Sequence, residues 1–423
     1  ERLPEVEDGF EYVDMQNLRA QVGSLFGMIG MVLEAEMHVP ERGEGEAGMM
    51  SEEEMFLTIF EQVMELGMEG LDLIEYSATV RHTEGYATHA TSLTVLADGA
   101  EDNRFYPLLA TSRPVEGFAR RLPATTTGYS VTGGSDMDAV YDFVLGLVGD
   151  FGPMGQMALG QWEMIQEQAG FDLRKDVLSW IDGESISVDF TLNGQPAWVS
   201  HMKVKDEAQA SEKLGMVLGM IPGLLEMAAE ENPMVQMLGI TVTPTRDERF
   251  AGFHEVGIAI AGQSILCGVQ VGAMVFASGG DAIAHCAAVA AGEAEGIAAN
   301  EELMALALLP AEGMGGVNAA SYTDHSGTAA AIGEALSGMA MMGGMVTMGI
   351  EEPEVREVVG EVLRIAGKLG PVIRSIDFYR SSSSLATFDG KAWHAHSVTH
   401  YRGPDKAEEP AGSAAGTASG AAA

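Results

Sequence analysis

The clearest hydrophobic pattern in the chain runs through SISVDFTLNGQPAWVSHMKV, where Ile186, Val188, Phe190 and Leu192 alternate with polar residues up to Asn193-Gly194. Period two sends these four side chains to one face of a strand, and Asn-Gly supplies the positive φ of a tight hairpin turn. Similar alternation surrounds Glu84-Gly85 and Asp389-Gly390, so three β-hairpins are expected. Ahead of each hairpin the spacing becomes helical, as in SEEEMFLTIFEQVMELGMEG, QWEMIQEQAGFDLRKDVLSWI and EEPEVREVVGEVLRIAGKLG.

Further upstream, three stretches open with Leu-Pro and pass through a short strand into a Gly- and Met-rich helix, beginning at Leu3, Leu122 and Leu309. Asp14, Ser135 and Ser326 stand where their side-chain oxygens can cap those helices. The chain therefore reads as a repeated unit. Residues 1–120 form the first unit with a connector, 121–300 the second with an additional α+β layer, and 301–403 the third, followed by a low-complexity tail over 404–423.

The additional layer starts with the helix DEAQASEKLGMVLGMIPGLLEMAAEE and continues through strands at GITVTPT, FAGFHEVGIAIA, SILCGVQVG and AMVFASG into a helix from Asp281. The expected fold class is α+β: repeated helix-helix-β-hairpin units forming antiparallel, curved sheets with helices packed on one face. The uncharged stretch from Val256 to Gly280 is broken by glycines and polar residues, so it reads as a buried meander. No transmembrane segment is expected.

Composition narrows the partners. Of 423 residues, 62 are acids and only 23 are Lys or Arg, giving a formal charge of -39. Nucleic acid and anionic membrane surfaces are repelled by such a chain, which leaves basic proteins, metal ions or a salty medium. The two cysteines, Cys267 and Cys286, make no disulfide framework and no CxxC site, and read as buried thiols unless the fold brings them together. The start ERLPEVEDGF, without an initiator Met, suggests a processed mature chain or a fragment whose export signal is gone, and an extracytoplasmic location is expected: periplasmic, secreted or cell-surface.

The phrases FDLRKDVLSWIDGESISVDF, Lys205-Asp206 followed by EAQASEKL, and AANEELMALALLP resemble those of an exported bacterial family of unknown function. Phe171 to Trp180, Lys205-Asp206 and Asn300 to Pro310 carry the likeness, across the middle half of the chain. The resemblance implies an extracytoplasmic α+β protein with no known catalytic residues.

Candidate chemistry is sparse. In WHAHSVTH, His394 and His396 lie two apart, so on a strand both imidazoles point to one side, as metal ligands would. His400 is about 20 Å from His394 along an extended strand and cannot share its ion. An ion held by His394 and His396 would need a further ligand from a neighbouring strand; solvated or half-buried strand histidines are the simpler reading.

Of the 27 methionines, Met339, Met341, Met342, Met345 and Met348 could offer thioethers to Cu(I), but the Met clusters fall on apolar helices where Met fills gaps in a core or lines an apolar groove. Asp136, Asp138 and Asp142 read as acids of a helix start, and the acidic runs leave calcium at the surface as a minor alternative. Asp324-His325-Ser326 has triad letters at adjacent positions, which is the wrong arrangement for a triad. No nucleotide loop, zinc helix or nucleophile elbow is found.

The expectation is a non-enzymatic binding or assembly protein without a cofactor, whose partner is a protein, a second copy, or an apolar small molecule held in a Met-lined cavity. The alternative is a metal-dependent enzyme or metal-binding protein built on His394 and His396.

Overall fold

The computed structural model describes residues 8–36, 52–110, 112–231, 239–259, 263–311, 316–327, 353–375 and 378–403, with a few positions between 329 and 338. The first elements are β1 (Gly9–Asp14), α1 (Met15–Glu36), α2 (Glu52–Asp72), β2 (Ile74–Glu84) and β3 (Ala87–Leu96), followed by the short α3 (Tyr106–Ala110). A second series runs β4 (Thr126–Thr132), α4 (Met137–Asp150), α5 (Gly152–Ala169), α6 (Leu173–Asp176), β5 (Ile181–Leu192) and β6 (Gln195–Val204).

Next come α7 (Glu207–Glu231), β7 (Ile240–Pro244), β8 (His254–Ile258), β9 (Gln263–Gln270), β10 (Ala273–Ala277), α8 (Gly280–Ala291) and α9 (Glu301–Leu306). The chain closes with β11 (Ala319–Asp324), α10 (Pro353–Ser375), β12 (Tyr379–Phe388) and β13 (Ala392–Tyr401).

The strands form one antiparallel sheet of 13, in the order β1-β2-β3-β13-β12-β11-β4-β5-β6-β10-β9-β8-β7. The α+β class is therefore observed. The strands of three triplets, β1-β2-β3, β4-β5-β6 and β11-β12-β13, are each neighbours in the sheet, the last in reversed order. The β5–β6 hairpin turns at Asn193 and Gly194, with φ of 53° and 77°, as the Asn-Gly pair predicts.

Caps explain where helices start. Asp14 Oδ1 accepts from the Asn17 N–H at 3.0 Å, so α1 begins as expected. At α4 the cap is Asp136 and not Ser135: its Oδ1 accepts from the N–H groups of Asp138 and Ala139. Just before this cap the backbone packs closely, since an added Cβ at Gly133 would sit 1.8 Å from the Arg113 carbonyl oxygen. Ser326 lies in a turn whose N–H donates to Asp324 Oδ1, and most of the helix expected after it, with ALSGMAMMGGMVTMGI, lies outside the described residues, as does the tail over 404–423.

The chain divides into two compact units. The first takes in Glu1–His82, His89–Thr323 and Ser383–Val398. Its largest core joins Val131, Ile186, Val188, Phe190, Val199 and Val275 to Ile283 and Cys286 of α8. A second core joins Trp180, Val204, Cys267 and Met274 to Ala210, Leu214 and Leu218 of α7. Neighbouring strand residues such as Leu266 and Cys267, or Met274 and Val275, fall in different cores. Period-two alternation thus places α7 and α8 on opposite faces. Helices on one face only is corrected here: strands apolar on both sides need a cover on each.

That separation also decides the cysteines. Cys267 and Cys286 belong to different cores, both are free, and burial pushes both thiols up to about 12.

The second unit comprises Thr83–Thr88, Asp324–Ser382 and Thr399–Ala423. Within it the Tyr401 N–H donates to the Tyr86 carbonyl at 2.8 Å, and the rings of Phe378 and Tyr379 stand 4.3 Å apart. His325 Nε2 lies 2.9 Å from Ser382 Oγ, a serine far from it in the chain and not the adjacent Ser326.

Candidate ligand cleft

α4 and α5 meet at a tight elbow. Gly152 takes a φ of 58°, and Gly155 approaches so closely that an added Cβ would lie 1.8 Å from the Val148 carbonyl oxygen. From there the two helices run as a pair above α6 and the 3-10 turn Leu178–Trp180. The sequence YDFVLGLV makes α4 apolar around much of its circumference, yet no α4 residue is fully buried. Such a helix normally hides in a core. Here its apolar side chains line open space.

That space is a cleft with two lobes. The apolar lobe, about 440 Å³, is bordered by Met137, Val140, Val144, Val148, Leu173 and Leu178. The other, about 730 Å³, has a polar rim that includes Glu163, Glu167, Asp172 and Lys175. Tyr141, Leu145, Leu159 and Trp162 border both.

Hydrogen bonds fix the aromatic groups. Trp162 Nε1 donates to the Tyr141 hydroxyl at 3.0 Å, and the Arg174 guanidinium carbon sits 5.3 Å from the centre of the Tyr141 ring. Arg174 in turn pairs with Asp142 and, at 3.8 Å, with Asp138. The hydrogen bond from Arg174 to Asp142 raises the guanidinium above its ordinary value. Asp138 and Asp142, read from sequence as acids of a helix start, therefore also anchor α6 to α4.

The floor is braced by its own polar groups. Asp172 caps α6, accepting from the Lys175 N–H at 3.0 Å, and its carboxylate pairs with Lys175 Nζ, which holds it below the usual range. Asp176 accepts from Lys213 Nζ at 2.7 Å and is lowered by that bond, while its carbonyl accepts from Trp180 Nε1 at 2.7 Å. The segment Phe171 to Trp180 thus works as a brace beneath the cleft.

Asp206 and Asn300, in the other phrases that resemble the exported family, are also helix caps. Asp206 Oδ1 accepts from Gln209 N–H, and Asn300 Oδ1 from Leu303 N–H. These phrases therefore encode helix starts.

Methionine contributes less to the cleft than the composition suggests. Met137 is the one methionine among these lining residues, while Met157 and Met164 of α5 are exposed. Met339, Met341, Met342, Met345 and Met348 lie outside the described residues. Sequence reasoning passed over Tyr141 and Trp162; the available signal was an apolar α4 followed, across a Gly-Pro elbow, by a lone Trp.

His394 and His396 lie on β13 but take different partners. His394 Nε2 stands 3.2 Å from Asp389 Oδ2, next to the hairpin turn. His396 Nδ1 stands 3.2 Å from Thr91 Oγ1 of β3, and its ring lies 5.9 Å from that of His89. His89 is 6.4 Å from His82 on β2, so the neighbouring strands do supply imidazoles, arranged as a ladder. Burial, with the nearby His89, lowers His396. Among the described residues no group of three His, Cys, Asp or Glu side chains is placed to hold a metal ion.

No helix among the described residues is long and apolar enough to cross a membrane. Comparison with protein-family models, curated proteins and solved structures finds no match to the chain. The α+β sheet and the α4–α5 cleft therefore carry the functional argument on their own.

Proposed function

We propose that this is a non-enzymatic binding protein that receives an apolar small molecule in the α4–α5 cleft. The observation that carries the reading is α4 itself, a helix rich in Val and Leu whose apolar side chains border about 440 Å³ of open space. Clefts of this size, apolar with a few fixed polar groups, are typical small-molecule sites. Trp162 and Tyr141 supply those polar groups at the junction of the two lobes.

Three further parts belong to the proposal. The chain is built from three β-helix-helix-hairpin units, a reading supported by the side-by-side triplets β1-β2-β3, β4-β5-β6 and β11-β12-β13. The protein belongs with the exported bacterial family that its helix-start phrases resemble. It works outside the cytoplasm, supported by that resemblance and by an acidic composition that keeps a surface hydrated in salt.

The test is a titration of the full chain with N-phenyl-1-naphthylamine, a neutral fluorophore that brightens in apolar surroundings. Saturable binding is expected, and Leu159→Trp, which fills the region shared by both lobes, is expected to weaken it about tenfold or more. Absence of saturable binding, or equal affinity in a folded Leu159→Trp variant, overturns the reading.

A further inference from the structure

The polar lobe of the α4–α5 cleft is lined by the carboxylates of Glu163, Glu167, Asp172 and Asp176 and by the bases Arg174 and Lys175. Most of these charges are already spent. Arg174 is held by Asp142 and Asp138, Lys175 pairs with Asp172, and Asp176 pairs with Lys213. Gln166 is committed as well, its Oε1 accepting from the Leu173 N–H at 2.7 Å. Glu163 and Glu167 remain: among the described residues neither side chain has a hydrogen-bond or ion-pair partner.

α5 turns these two acids towards the cleft. Leu159, Trp162, Glu163, Gln166 and Glu167 recur at helical spacing and all border the polar lobe. Met157, Met164 and Ile165, which do not line it, are 61, 53 and 54% exposed. A rotation of the helix would give the cleft a more apolar wall; as folded, it presents two carboxylates beside an indole.

The aromatic groups favour the same charge. Tyr141, which borders both lobes, already has the Arg174 guanidinium carbon 5.3 Å from its ring centre. Trp162 borders both lobes too, and indole is the best aromatic host for a cation.

We propose that the ligand of this cleft is an amphipathic cation, with its apolar body in the 440 Å³ lobe and an ammonium group in the polar lobe, between the Glu163 and Glu167 carboxylates and the Trp162 indole. The inference rests on the small-molecule reading of the cleft and adds the head-group. The cavity makes the site, and the two acids choose the charge. An ammonium carries three N–H donors, and carboxylates are acceptors only, so the match is one of hydrogen bonding as well as charge. A fatty acid would set its own carboxylate against two like charges, and a neutral alcohol gains no ionic contact.

Competition against N-phenyl-1-naphthylamine on the full chain at low ionic strength tests the head-group, using decylamine, decanol and decanoate, which share one chain length. Decylamine is expected to bind about fivefold or more tightly than decanol, and decanoate to bind weakest. Salt is expected to weaken the amine and leave the alcohol unchanged, because it screens charge only. Glu163→Gln combined with Glu167→Gln, at two exposed positions, is expected to weaken decylamine about fivefold or more and to keep decanol within about twofold. Glu101→Gln combined with Glu293→Gln removes the same charge away from the cleft and is expected to leave decylamine unchanged, which separates a local contact from the general pull of an acidic chain.

Equal affinity for decylamine and decanol, tighter binding of decanoate, an amine preference kept by the cleft variant, or one lost in the remote variant each overturns this inference while the small-molecule reading stands. Absence of saturable fluorophore binding removes both.

Discussion

The indole Nε1 of Trp162 donates to the hydroxyl of Tyr141 at 3.0 Å, and this bond ties α5 to α4 at the point where the two lobes of the cleft meet. Both groups are amphipathic, so each offers an apolar ring to the cleft while its polar atom is satisfied by the other. Removing the acceptor alone, in Tyr141→Phe, is expected to cost about 1 kcal/mol of stability and to move tryptophan emission as the indole N–H loses its partner. Urea unfolding followed by fluorescence checks both. An unchanged midpoint and unchanged emission would show that the bond does not hold the helices together.

The elbow below that bond admits no side chain. Gly155→Ala would bring a Cβ to 1.8 Å from the Val148 carbonyl oxygen, a backbone atom that cannot swing away. The helices must part, with an expected loss of roughly 2–3 kcal/mol and weaker fluorophore binding, because the cleft walls move together. Gly146→Ala, where an added Cβ meets nothing within 4 Å, is the control and should cost little.

Asn318 is 4% exposed and uses both ends of its amide. Its Nδ2 donates to the Ser112 carbonyl at 2.7 Å, and its Oδ1 accepts from the Phe388 N–H at 2.8 Å. Asn318→Ala leaves two part-buried backbone groups without those partners, each worth about 1–3 kcal/mol when unsatisfied. A fall of roughly 2–4 kcal/mol in unfolding free energy is expected by denaturant titration, and a fall below about 1 kcal/mol would refute the role assigned to this side chain.

His201 of β6 makes stability depend on pH. Burial, and secondarily the Arg121 charge, pushes its imidazole down to about 4, against about 6.5 in an unfolded chain. The fold therefore favours the neutral ring. This contribution is complete above pH 6.5 and disappears as pH falls towards 4, amounting to at most about 3 kcal/mol. His201→Phe cannot take up that proton, so wild type should lose more stability than the variant between pH 7 and pH 4.5. Equal losses measured by urea unfolding at the two pH values would remove His201 as the cause.

Local chemistry was legible wherever a short window holds the whole determinant. Asn193-Gly194 set its turn, Asp14 capped its helix, and the alternation of Ile186, Val188 and Phe190 fixed which of their sides is buried. The helix starts near Asp172, Asp206 and Asn300 belong to the same class, because a cap depends on only four residues. At α4 the window offered two adjacent capping residues, Ser135 and Asp136, and the helix uses the second.

The candidate sites depended on distant neighbours. His394 and His396 share a strand and a side in the sequence, but Asp389 engages one, and Thr91 with His89 engages the other. The cleft likewise needs α6 brought under α4 through Arg174, Asp142 and Asp138.

By itself, then, the sequence determined the strands, hairpins and helices and the acidic charge, since periodicity and composition are properties of consecutive residues. Only the tertiary structure decided that β3 lies beside β13, that α7 and α8 cover opposite faces, and that Tyr141 meets Trp162 over open space. Those outcomes rest on contacts between segments far apart in the chain, and alternation along a strand defines two faces without saying what will cover either of them.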